Sequence, residues 1–236
     1  MDNTGKKETS MQITPKLSSE TNRDYALRII RDNIINLELK PGSLIGEQEV
    51  ANQLGCSRTP VHEAYLELSK SRILDVLPQK GCRISKIDYD LINEARFLRK
   101  LVETALAEEA CQVATDADIA ELEANVSLQQ FYSGSNNAKL LELDNEFHKI
   151  IYRICNKMQC HYMVSLMSIH FDRVRRISLE SVKDYKIVSD HAAILEAIKN
   201  HDPVAAKAMV EKHMARFDMD WDIIKKEFSE YIEEKD

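Results

Sequence analysis

Residues 50–68 read VANQLGCSRTPVHEAYLEL, and the simplest solution of that string is two helices separated by a glycine stop. Val50, Ala51 and Leu54 give the first segment one apolar face, and Gly55 falls where a helix C-terminus favours glycine. Ser57 is a good N-cap for the second segment, and Pro60 is tolerated there because a first-turn N–H lacks an intrahelical acceptor. Val61, Ala64, Tyr65 and Leu68 then form its inward face. Upstream, Ala26, Ile29, Ile30, Ile34 and Leu37 recur at helical spacing until Lys40-Pro41-Gly42 marks a turn, after which a short helix spans 47–54. Downstream, the apolar runs 73–77 (ILDVL) and 82–85 (CRIS) are joined by PQKG at 78–81, the pattern of a β-hairpin. Helix, helix, turn, helix, hairpin is the outline of a winged helix-turn-helix.

Residues 1–22 are polar without sustained period and read as a flexible arm. Beyond Asp88 every segment reads as helix: 88–111, one capped by Thr115 with Asp118 in its first turn, then 138–155, 162–181, 185–200 and 203–231. Asp202-Pro203 opens the last of these as N-cap and first helical residue. The expected fold is therefore mostly α: an arm (1–22), a winged helix-turn-helix domain (23–87) and an all-α helical bundle (88–236). With 236 residues, 44% hydrophobic, only 6 Gly and 5 Pro, the composition excludes disordered and collagen-like chains and disfavours all-β ones.

No apolar core of a signal peptide occurs in residues 1–20, and no run approaches the roughly 18 apolar residues of a membrane span, so a cytoplasmic protein with no membrane partner is expected. Five cysteines, Cys56, Cys82, Cys111, Cys155 and Cys160, form no CxxC pair and suit reduced thiols.

A net charge of −7 speaks at first against a nucleic-acid partner. Divided by segment it says something else. Residues 23–86 hold ten Lys/Arg against eight Asp/Glu, whereas residues 87–236 hold nineteen against twenty-eight. The acidity belongs to the helical domain, and Arg58, Lys70, Arg72, Lys80, Arg83 and Lys86 can give the small domain a basic face.

Residues 25–30, LKPGSLI at 39–45, the stretch 50–68 and Gly81 together resemble the GntR family of bacterial transcription regulators, with Ser57-Arg58-Thr59-Pro60-Val61, Glu63 and Ala64 the most specific part. The residues support a DNA-reading role on their own terms. A helix that opens Ser-Arg-Thr offers an arginine, a hydroxyl and free N–H groups at its positive end, where phosphates and base edges are met together. Arg58 is the first candidate for a bidentate contact to guanine O6 and N7, Thr59 for a phosphate or thymine methyl, Gln48 for the backbone, and Lys80 with Gly81 for the minor groove. The chain departs from the family at Gln48 and His62, where the family usually has arginine, and at Arg72, where it has glycine. His62 is kept as a DNA contact, but an imidazole is shorter than a guanidinium and has one bond per ring nitrogen. The resemblance implies a homodimer on a double-stranded, two-fold symmetric operator.

In the helical domain Asp144 and His148, four residues apart, share a helix face. His191 and His213 lie equally far either side of Asp202, so an antiparallel hairpin breaking there would bring them level. Spacing alone leaves ordinary helical histidines as the alternative. The region also resembles the FCD-type ligand-binding domain of the FadR-like GntR branch, marked by Arg99 with Glu103, Asp144 with His148, Asn156, His191 and His213. That resemblance implies a divalent metal (Zn²⁺, Ni²⁺ or Mn²⁺) on Asp144, His148, His191 and His213, with a small carboxylate effector as its ligand and Arg99 and Asn156 as effector-binding residues. Arg99 could instead pair with Glu103. The cluster Arg173, Arg175 and Arg176 could line the pocket or pair with acidic neighbours.

The leading expectation is a non-enzymatic regulator, more often a repressor in that family, whose operator binding responds to an organic acid. Its rivals are a metal sensor and a metal-dependent hydrolase. The second lacks an evident general base, because Glu146 projects to the opposite side of the helix from Asp144 and His148.

Overall fold

The computed structural model describes residues 11–77, 81–181, 186–215 and 221–234, which divide into two compact units: the described residues up to 87 with 230–234, and those between 88 and 229. In the first unit, α1 (Asn22–Ile35), α2 (Glu47–Leu54) and α3 (Arg58–Lys70) surround a core of Ile29, Ile30, Ile34, Val50, Ala51, Val61, Ala64, Tyr65 and Leu68. Thr21 caps α1 by accepting from the Asp24 N–H, Gly55 ends α2 at φ +64°, and Ser57 occupies the N-cap of α3 without a side-chain cap bond.

The wing is β2 (Leu74–Leu77) paired antiparallel with β3 (Gly81–Ile84), in the register Asp75 opposite Arg83, and these two side chains form an ion pair at 2.8 Å. A third strand, β1 (Leu44–Ile45), lies in the stretch between the 40–42 turn and the helix from 47, to which the sequence pattern assigns no element, and pairs with the other edge of β3. Two apolar residues are too short a run to announce a strand; the partner makes it one.

The expected boundaries need three corrections. The arm is not free over 11–21. Gln12 exchanges backbone hydrogen bonds with the Asn33 side chain at 2.7 and 2.9 Å, Met11 is buried, and Arg28 bonds Thr14, the Pro15 carbonyl and Glu20. Residues 230–234 belong with the first unit rather than with the helical domain, because Ile87 donates to the Tyr231 carbonyl (2.8 Å) and accepts from the Glu233 N–H (2.9 Å). The expected helix 203–231 is split into α9 (Pro203–Met214) and α10 (Trp221–Glu227), followed by a 3-10 turn at Ser229–Tyr231. α9 ends at Met214 with Ala215 as its C-cap, and residues 216–220 lie outside the described residues.

The second unit contains α4 (Tyr89–Val113), α5 (Asp116–Tyr132), α6 (Asn137–Ile154), α7 (Met158–Ser181), α8 (Lys186–Lys199), α9 and α10. Thr115 and Asp118 form the full capping box of α5, and the Asp202 side chain accepts from the Ala205 N–H ahead of Pro203. Leu106, Ala110, Phe147, Ile151, Ile194, Ile198 and Val210 lie in its main core. Residues 168–174 of α7 are all buried, so this helix is covered on every side at mid-length and shows no amphipathic stripe there. All five cysteines are free, and burial pushes the Cys155 thiol up to about 11, the state of an inert apolar residue.

Candidate DNA-reading head and metal centre

At the reading head Arg58 and Thr59 open α3, both exposed, and His62 follows one turn on. A single carboxylate organises this face. Glu47, in the first turn of α2, accepts from Arg58 Nε at 2.5 Å through one oxygen and from His62 Nδ1 at 2.8 Å through the other. Burial disfavours its charge, yet His62 and Arg58 outweigh that and lower its pKa. Gln48 is exposed and donates to Asn52 Oδ1 at 2.9 Å, one turn along α2. Gly81 stands at φ +96°, with the position of a Cβ only 3.3 Å from the Ile45 carbonyl, so the wing needs glycine there. Lys80 lies outside the described residues. Arg58, Lys70 and Arg83 are each paired with a carboxylate, of Glu47, Glu67 and Asp75, so the basic face is partly neutralised before DNA arrives.

In the second unit Asp144 and His148 come from α6, His191 from α8 and His213 from α9. One ligand atom from each lies within 4.8 Å of all the others, and the four side chains are buried. The imidazole centroids are 4.7 to 5.2 Å apart, as expected if the α8–α9 hairpin brings His191 and His213 level.

Two of the three histidines have a hydrogen-bond partner behind them. His148 Nδ1 lies 2.9 Å from Glu103 Oε2, and His191 Nδ1 lies 2.8 Å from Gln129 Oε1, while Gln129 Nε2 donates to Asn125 Oδ1 at 2.6 Å. His213 Nδ1 is 3.9 Å from Asp190 Oδ2. Because Glu103 and Gln129 present acceptor oxygens, His148 and His191 each donate through Nδ1, and the neutral His191 ring carries its lone pair on Nε2, away from Gln129. Both Nε2 atoms are buried without a hydrogen-bond partner, and that of His191 is 3.5 Å from Asp144 Oδ1. A neutral lone pair and a carboxylate oxygen facing each other is an arrangement of two acceptors that a cation between them would resolve. Burial, then the neighbouring His213 and His148, keeps the His191 pKa well below the ordinary range, and burial brings His213 to about 4 against the pull of Asp190, so both are neutral at pH 7. The donor set fits a divalent transition metal.

The structure separates the other sequence candidates. Arg99 is buried and donates Nε to Glu103 at 2.9 Å, choosing the intradomain pair. Burial opposes the Glu103 charge, but Arg99 and His148 hold its carboxyl below the usual range. Asn156 is exposed in the turn after α6 at φ +55°, apart from the cluster, where its tolerance of the left-handed conformation explains its presence. Of the arginine cluster, Arg175 forms an ion pair with Asp144 and bonds Asp172 and Asn145 at 2.8 Å, whereas Arg173 is buried beside His170 and its pKa is lowered to about 10. Glu146 pairs with Lys149 rather than facing the cluster. A cavity of about 260 Å3 lined by Ala114, Ile119, Lys199 and His201 shares no residue with it. Sequence reasoning missed Gln129 and Asp190. Gln129 had a signal, being a polar residue on the same helix face as the apolar Leu122 and Val126 of α5.

Residues 24–84 match the profile of the bacterial regulatory proteins of the gntR family, and residues 94–216, more than half of the chain, match the FCD domain. The chain belongs to the GntR family of regulators with an FCD domain. This GntR regulator is 30% identical over 198 residues to an HTH-type transcriptional regulator from an unstable DNA locus of Streptomyces ambofaciens, covering 84% of each chain. It is 26% identical over 210 residues to the HTH-type transcriptional repressor RspR of Escherichia coli, covering 88% of this chain and 92% of RspR. The solved structure of E. coli McbR/YncC superposes with a TM-score of 0.76 at 19% identity, covering 89% of this chain and 99% of that one, which establishes the shared fold. As a GntR regulator the protein binds DNA to control transcription and is not an enzyme. Among its described residues no helix is long and apolar enough to cross a membrane.

Proposed function

We propose that this GntR regulator is a cytoplasmic repressor that binds its operator as a homodimer and is controlled by a small carboxylate held at a divalent metal on Asp144, His148, His191 and His213. The observation that carries the reading is the buried His191 Nε2 facing Asp144 Oδ1, with its tautomer set by Gln129. On the DNA side Arg58, Thr59 and His62 would meet base edges, with Gln48, Lys80 and Gly81 at the backbone and minor groove. The repressor sign is taken from the name of RspR.

When bound, the metal would supply a Lewis-acid site for an anionic oxygen. The chain's own contribution is positioning. Glu103 and Gln129 orient two imidazoles, Arg99 neutralises Glu103, and Arg175, already beside Asp144, places a guanidinium where a carboxylate ligand would need a counter-charge. To act as effector the acid must bind one arrangement of the paired heads more tightly than another.

Operator-binding titrations after chelation, with metal and organic acids restored separately, test this. A response requiring both supports the proposal, a response to metal alone makes the protein a metal sensor, and retention of metal by the His191→Ala, His213→Ala double variant on elemental analysis refutes the site.

A further inference from the structure

We infer that His62 is a specificity-determining residue that reads an exocyclic amino group, that of adenine or cytosine, in the major groove, and that Glu47 is the positioning residue that makes it do so. This rests on the assignment of α3 as the DNA-reading helix.

His62 and Arg58 are four residues apart and therefore share one face of α3, and both are exposed. They also share Glu47, whose carboxylate is mostly covered and holds both side chains at once. An ionised carboxylate can only accept, so the ring nitrogen 2.8 Å from it, Nδ1, must carry a proton. In its neutral form, with the Nδ1 proton committed to Glu47, the ring has its remaining nitrogen, Nε2, as a lone-pair acceptor. In the major groove an acceptor finds a donor only at adenine N6 and cytosine N4, since guanine N7 and O6 and thymine O4 are themselves acceptors. An arginine at this position would carry only donors and select guanine. The change from arginine to histidine is then an inversion of hydrogen-bond polarity rather than a loss of reach.

Arg58 is treated differently by the same carboxylate. Only its Nε is engaged, and a guanidinium has no acceptor at all, so its preference for guanine is retained. The chain thus presents a donor fork and, one turn along, a single acceptor. Without Glu47 the imidazole is free to exchange tautomers and to turn, and the polarity of its outward nitrogen is no longer defined.

Selection from a random duplex pool with the purified full-length protein, run at pH 8, above the range in which free imidazole gains a proton, tests the inference. One position per reading head should show adenine or cytosine, about tenfold over guanine. In the His62→Arg variant guanine should replace it, and in His62→Ala the preference should vanish there alone. Glu47→Ala should weaken discrimination at that same position, with no further effect in the His62→Ala background, while its thermal melt stays that of a folded protein. Guanine or thymine selected by the wild type at the position that His62→Ala relaxes overturns the polarity argument while leaving His62 a base contact. An unchanged selection in His62→Ala removes His62 from the interface altogether. Undiminished discrimination in Glu47→Ala overturns the positioning role.

Discussion

Replacing Gln129 by leucine probes the proposed metal centre at a residue that would never touch the metal. Gln129 and His191 are both fully buried, and the bond between them is the one contact that holds the proton on His191 Nδ1. Leucine is close in volume and removes that acceptor together with the donor to Asn125 Oδ1. Each buried group left without its partner costs about 1–3 kcal/mol, set against an apolar gain of similar order for leucine, so a net destabilisation of about 1–3 kcal/mol is expected. The ring, freed from its orienter, should lose about 10–100-fold in metal affinity, which is about 1.4–2.7 kcal/mol. Competition of Zn²⁺, Ni²⁺ or Mn²⁺ against a chromophoric chelator reads the affinity, and a thermal melt of the metal-free protein reads the folding cost separately. A folded Gln129→Leu variant whose metal affinity stays within twofold of wild type, while His191→Ala loses binding, would refute the argument that tautomer control by Gln129 prepares the site.

At the reading head, Arg58→Ala should cost about 1–3 kcal/mol of specific binding, or roughly 5–150-fold, with the non-specific affinity and the oligomeric state little changed; an equal loss on all sequences would make Arg58 a phosphate contact. Arg72 stands at φ +60°, exposed, in the position where the family carries glycine, and a left-handed L residue costs about 1–2 kcal/mol. Arg72→Gly should therefore stabilise the protein by about 0.5–1 kcal/mol after the greater unfolded freedom of glycine is subtracted, and a melt no higher than wild type counts against that strain. Chiefly through its hydrogen bond to Arg28, the Glu20 carboxyl is lowered to about 2 from 4.5. Its contribution, no more than about 1 kcal/mol for a pair near solvent, is complete above pH 4.5 and lost as pH falls toward 2. The stability gap between wild type and Glu20→Gln should close over that interval, and a gap independent of pH would disprove the linkage.

Local signals made much of the architecture legible. Gly55, Ser57, Thr115 with Asp118, and Asp202 with Pro203 mark helix ends within a residue or so of those observed, because caps act over three or four residues. The hairpin 73–77 to 82–85 was shifted by only one residue, its turn being specified by adjacent positions. Boundaries went wrong where a distant segment supplied the partner: Asn33 for Gln12, Ile87 for the tail, β3 for the two residues of β1.

The sequence by itself determined the reading helix and the wing, and its i, i+4 spacing and a hairpin symmetric about Asp202 allowed Asp144, His148, His191 and His213 to converge, while the resemblance to the FCD type singled them out as candidate metal ligands. Only the tertiary structure decided which way those groups face. Gln129 meets His191 across 62 positions of sequence, Arg99 takes Glu103 rather than remaining available to an effector, Arg175 reaches Asp144 from another helix, and Glu47 gathers Arg58 and His62. Hydrogen-bond polarity is the physical reason. Periodicity reports which side of a helix is buried, but the tautomer of a ring or the partner of a guanidinium depends on atoms brought within about 3 Å, and packing alone brings them there.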